Sequence, residues 1–170
     1  MTIKMMGAVL ILTACGGMGF SVASMHRKKE RMLQQLIRSI RFMICELQYR
    51  QTPLPQLIRM AAAETTATLH QILMDFAGEL DLQLMPDAAC CMAAVVGQVP
   101  KLPEMVRQKF LMLGRNLGRF DLSGQITGLE AVCQVCQRDL DGLLVNRDAR
   151  LRSYMTLGVC AGIALVILFI

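Results

Sequence analysis

Cysteine is the residue type with the widest chemical reach in this chain. Seven are present, Cys15, Cys45, Cys90, Cys91, Cys133, Cys136 and Cys160. Cys133-x-x-Cys136 joined to Cys90-Cys91 would supply four thiolates, the number a tetrahedral zinc site takes. Adjacent cysteines make a poor second ligand pair, however, and both members of the C-x-x-C fall on an apolar helical stripe, where cysteine packs as a small hydrophobe. The odd count, with two members in uncharged terminal stretches, also argues against a disulfide framework. Reduced thiols are expected. The two histidines, His26 and His70, have no companion that would make either a general base. Glu79 and Asp81 are two apart, so on a helix their carboxylates do not face each other. No phosphate-binding loop, H-E-x-x-H or dinucleotide fingerprint occurs. The expectation is a protein without catalytic residues, cofactor or metal.

One modification signal competes with this reading. Leu12-Thr13-Ala14-Cys15 looks like a lipoprotein cleavage box, with Lys4 ahead of it; cleavage there would lipidate Cys15 and export the rest. The residues after Cys15 stay uncharged and mostly apolar instead of forming a polar tether. The basic cluster beyond them resists translocation. A membrane span is the favoured reading of this stretch, and lipidation of Cys15 the alternative.

The charges show what must position these residues. All thirteen acids and seventeen of the eighteen Lys and Arg lie between Arg27 and Arg152; Lys4 is the exception. The net charge of +5 does not imply nucleic acid, because the bases flank the uncharged ends or are interleaved with acids, without an aromatic platform. Residues 5–25 carry no charge, about the length that crosses a ~30 Å hydrocarbon layer. Arg27, Lys28, Lys29 and Arg31 follow at once. At the other end Arg147, Arg150 and Arg152 precede 154–170, whose 17 uncharged residues make ~25 Å of helix. Both basic flanks face the middle of the chain. The positive-inside rule therefore expects two spans and a cytoplasmic middle, divided as 1–25, 26–153 and 154–170. Thr13, Gly17 and Ser21 in the first span, and Gly158 and Gly162 in the second, are small residues in helical register that would let spans pack closely.

Between the ends the period is helical throughout. Leu33, Leu36, Ile40, Met43 and Leu47 recur at three and four, with Gln34, Gln35, Arg38, Ser39 and Arg41 on the other side. Pro53 ends that helix, and Thr52 is positioned to cap the next, 54–63. Further helices are expected over about 67–82, 88–96 (capped by Asp87) and 104–117. A final one follows, with Ile126, Leu129, Cys133, Cys136, Leu140 and Leu143 as its buried stripe. No alternating strand pattern is persuasive. The fold class is all-α: a bundle of about six helices between two transmembrane helices.

Two motifs remain after the bundle is accounted for. One is Leu113-Gly114, Leu117-Gly118, Asp121, Gly124 and Gln125. Gly114 and Gly118 lie about one turn apart, where a neighbouring helix could approach closely, and Asp121 or Ser123 can cap the helix that follows. The other is Glu46-Leu47-Gln48-Tyr49-Arg50-Gln51-Thr52-Pro53-Leu54. With the apolar ends, these motifs make the chain resemble the stage III sporulation protein AB family over essentially its full length. Family members often carry a tryptophan in the middle helices; this chain has none.

The resemblance implies a helical domain similar to the membrane platform proteins of type II secretion and type IV pilus machines. It further implies a place in the mother-cell membrane around the forespore, within a complex that bridges the two cells. A separate ATPase, the AA protein of the same complex, would dock on this chain beside other channel subunits. Membrane lipid is the remaining expected partner; nucleic acid and small-molecule substrates are not expected. A membrane-anchored signalling or adaptor protein is the alternative.

Overall fold

The computed structural model describes the backbone of residues 2–82, 85–118, 121–145 and Thr156, and side chains from Met25 onward within those ranges, His26 excepted. Among the described residues there are six α-helices and no strand: α1 Thr2–Arg50, α2 Leu54–Ala63, α3 Ala67–Leu82, α4 Ala88–Gly97, α5 Glu104–Asn116 and α6 Leu122–Val145. The chain divides into two compact units, one of 1–30 with 141–170 and one of Arg31–Leu140.

Most boundaries follow local chemistry. Asp87 caps α4, its carboxylate accepting the Cys90 amide at 2.8 Å. Asp121, not Ser123, caps α6, accepting the Gly124 amide at 3.1 Å. Thr52 does not cap α2. Pro53 takes the N-cap position with no side-chain bond, and the Thr52 hydroxyl donates to Glu46 at 3.2 Å instead. Pro55, the second residue of α2, lessens the need for a cap, since its missing N–H would have had no partner there. Arg107 serves the other end of α4: its guanidinium donates to the carbonyls of Val96 and Val99, both at 2.9 Å.

The core belongs to unit Arg31–Leu140. Leu33, Leu36, Ile40 and Met43 of α1 are fully buried, as are Leu57 and Ile58 of α2, Ile72, Leu73 and Phe76 of α3, Met92 of α4, Phe110 of α5, and Leu129, Val132 and Cys136 of α6. α2 packs on α3, α3 on α4 and α4 on α5. Ser39, expected on the polar side of α1, is fully buried. Its hydroxyl donates to the Ala61 carbonyl at 3.2 Å and so ties α1 to α2. On α6, Val132 takes the buried seat expected of Cys133, which is half-buried together with Ile126 and Leu143. Lys109 of α5 is buried and paired at 2.6 Å with Asp139 of α6. Arg59 of α2 pairs with Asp81 of α3 across a surface where both are well exposed, so that pair adds little.

The expected span 5–25 falls in α1, in a stretch whose side chains lie outside the described residues as far as 24; Cys15 and Gly17 are included. The span 154–170, with Gly158 and Gly162, lies outside them apart from Thr156. Among the described residues no helix is long and apolar enough to cross a membrane.

Gly78, in the interior of α3, leads to a first prediction. A Cβ placed there would meet nothing within 4 Å. Gly78→Ala is therefore expected to raise unfolding stability by about 1 kcal/mol, since alanine loses less backbone freedom in a helix. Urea titration followed by circular dichroism measures the gain.

Candidate functional site

The end of α1 and the start of α6 build one site. Gln51 ends α1 in the left-handed region at φ 49°, and its amide returns to the Glu46 carbonyl at 3.2 Å. That reversal brings Thr52 back to the Glu46 carboxylate, which Arg50 approaches from its other oxygen at 3.8 Å. Leu54, the first residue of α2, lies over Gly118: a Cβ at Gly118 would sit 3.6 Å from Leu54 Cδ2. Gly118 itself adopts φ 77°, a conformation that favours glycine, just after the end of α5.

Leu47, Gln51, Thr52, Leu54, Leu122 and Gln125 line a cleft of about 310 Å³. Three leucines form its apolar walls; two amides and a hydroxyl supply hydrogen-bonding groups. Thr52, Leu54 and Gln125, from two motifs separated by some seventy residues, thus meet in one place. Tyr49 is 84% exposed. Arg50 is also exposed, and its long contact with Glu46 leaves most of its donors uncommitted. Pro53 is exposed, with its carbonyl accepting the Leu57 amide at 2.9 Å. Asp121 and Gly124 hold the first turn of α6, with the Gln125 amide reaching the Asp121 carbonyl at 2.9 Å.

Gly114 lies outside the cleft and does a different job. A Cβ there would be 2.6 Å from Met92 Cβ and 3.2 Å from the Ala88 carbonyl oxygen, so α4 and α5 cross in near contact at this residue. Sequence reasoning missed Gly128, where a Cβ would fall 2.6 Å from Asn116 Oδ1 and 2.9 Å from Asn116 Cβ. Its signal was the spacing of four from Gly124. It also missed the Lys109–Asp139 pair. Lys109 falls three residues after Val106 and four before Leu113, a buried position by period alone. Leu47 and Gln51 stand within the Glu46–Leu54 motif, while Leu122 is an unspecified position of the other.

The residues weighed for other chemistry are dispersed. Cys133 and Cys136 are on α6, Cys90 and Cys91 on α4, and all four are free thiols. Among the described residues no three His, Cys, Asp or Glu side chains gather as a metal site would require. His70 donates from Nδ1 to the Ala62 carbonyl at 2.9 Å; His26 lies outside the described side chains. Glu79 is half-buried and Asp81 is engaged by Arg59.

Burial pushes the Cys136 thiol up to about 12, so it stays protonated at any working pH. The exposed Cys90 is also raised above its ordinary value, first by its hydrogen bond to the Asp87 carboxylate and then by that carboxylate's charge. Less thiolate is then present near pH 8 than at an unhindered cysteine, and the thiolate is the reactive form. Asp87→Asn keeps an oxygen for the α4 cap while removing the charge. It is expected to speed iodoacetamide labelling of Cys90 severalfold at pH 8. Peptide mapping against Cys45 as the internal standard checks this.

The fold is all-α among the described residues, and three of its motif residues, Thr52, Leu54 and Gln125, line a leucine-walled cleft. The chain belongs to the stage III sporulation protein AB family, whose sequence profile matches residues 4–170. A solved structure of "Stage III sporulation protein AB (SpoIIIAB)" has the same fold, with a TM-score of 0.63 and 17% identity, over 72% of this chain and 98% of that one. No curated protein sequence matches the chain.

Proposed function

We propose that this chain is a membrane-anchored platform subunit of a sporulation-specific, secretion-like complex between mother cell and forespore. It docks a separate ATPase at the cleft between the end of α1 and the start of α6. Family membership supports the sporulation role. The observation that carries the docking role is the convergence of Thr52, Leu54 and Gln125 on one cleft, with exposed Tyr49 and Arg50 next to it in the chain. Tyrosine and arginine are the residue types that anchor protein interfaces. Anchoring rests on the uncharged stretches 5–25 and 154–170 and on the basic residues that flank each on the side of the middle domain. In this reading the chain is a scaffold and the partner supplies the hydrolysis.

Pull-down of the AA protein from detergent-solubilised membranes tests the docking. Tyr49→Ala is expected to lower its recovery severalfold without unfolding the chain, because the side chain stands in solvent. Recovery of regulatory proteins alone would replace the platform reading with that of a signalling adaptor. Deletion of the chain is expected to block spore development after engulfment. Normal sporulation of the deleted strain, with no second copy to compensate, would end the proposal.

A further inference from the structure

The most distinctive surface outside the cleft is a short section of α1. Arg27, Lys28 and Arg31 are exposed and Lys29 is half-buried. None of the four makes an ion pair among the described residues. On an α-helix these positions spread over about 200° of the circumference within ~6 Å of rise. At one level they take up more than half of the circumference, with Glu30 on the remaining side, and so make a broad partial collar rather than a stripe along one face. A helix lying flat on a membrane or along a nucleic-acid groove would want its cations on one side. A net positive arc this wide at one level suits a helix standing upright through a layer of negative charge.

Its neighbours along α1 mark the layer. On the N-terminal side Met25 is 59% exposed, and 5–24 carries no charge. On the C-terminal side burial begins at once, with Met32 and Leu33 in the core. The collar therefore occupies the one section of α1 between an uncharged stretch and the protein core, about as deep as a lipid headgroup region. Unpaired cations there are stabilised by anionic phosphates far more than by zwitterionic ones, at roughly 1 kcal/mol per Lys or Arg near a negative surface.

We infer that the Arg27–Arg31 collar is a binding site for anionic phospholipid headgroups, so that the chain gathers acidic lipid around α1. This rests on the membrane-anchored reading above and adds a lipid preference to it. The test uses the full chain in vesicles of phosphatidylcholine containing about a third phosphatidylglycerol. Insertion is read by resistance to alkaline extraction. Lipid preference is read by the phosphatidylglycerol content of the shell retained on mild detergent extraction.

The expected result is an inserted chain whose shell is enriched severalfold in phosphatidylglycerol. The enrichment should fall as salt is raised and drop by roughly half when Arg27, Lys28, Lys29 and Arg31 are all changed to Gln, with insertion and helix content retained and Arg147, Arg150 and Arg152 left in place. The charge-keeping Arg27→Lys, Arg31→Lys variant should preserve it. An inserted chain without enrichment, or enrichment undiminished by the fourfold change, overturns the inference and leaves the anchoring intact. A chain extracted freely by alkali overturns the anchoring, and the inference with it. Preferential binding of an oligonucleotide by the inserted chain, at the expense of phosphatidylglycerol, would assign the collar to nucleic acid and overturn the inference.

Discussion

Asp139→Ala is expected to destabilise the fold by about 3 kcal/mol, the low end of the range for stripping one partner from a buried ion pair. The argument turns on which partner is left behind. The Lys109 side chain is only 9% exposed, whereas Asp139 retains 34%. Removing the carboxylate strands an ammonium that has almost no water to turn to. Lys109→Met should cost much less, because the orphaned Asp139 can rehydrate and methionine fills the same seat. The double change Lys109→Met, Asp139→Leu should recover most of the wild-type stability, since the pair's own attraction barely exceeds its desolvation cost. Urea unfolding of the four proteins ranks their stabilities and checks this order. An Asp139→Ala protein as stable as its parent would show that the α5–α6 contact does not depend on this pair.

Gly114→Val is expected to cost a similar amount, about 3 kcal/mol, by overpacking. The obstruction is Met92 Cβ at 2.6 Å and the Ala88 carbonyl oxygen at 3.2 Å, atoms fixed to the α4 backbone. No rotamer change clears them; the helices must separate. Combining Gly114→Val with Met92→Gly, which removes the obstructing Cβ, should be distinctly less damaging than the sum of the two single changes, a non-additivity that double-mutant analysis resolves. Gly128→Val is a useful contrast. There the nearest atom, Asn116 Oδ1, can turn away at the cost of its side chain's 2.8 Å bond to the Met112 carbonyl, but Asn116 Cβ at 2.9 Å cannot, so relief is only partial.

The helices were legible because three signals coincide in this sequence: apolar residues at three and four, prolines at 53, 55, 86, 100 and 103, and acids placed to cap. α2 and α3 have the expected bounds, and α4 and α5 differ by a residue at one end. What periodicity could not supply was which polar residue on a stripe would be buried. Ser39 and Lys109 go inward because a specific acceptor, Ala61 O or Asp139, waits across the packing interface. Nothing local announces such a partner. Both motifs were visible as motifs, and the expectation of a close approach was placed on the glycine face around Gly114. Their separation into a packing contact at Gly114 and a cleft at Thr52, Leu54 and Gln125 depends on the path of the chain between them. Thr52 was misread as a cap because its hydroxyl had a second local option, Glu46, six residues back.

The cleft is assembled from residues 47–54 and 122–125, so one wall leaves the ribosome long before the other exists. Such non-local closure comes late and cooperatively. A truncated or half-finished polypeptide would offer only a loose helix end. A subunit that recognised the cleft would recruit finished molecules and pass over immature ones.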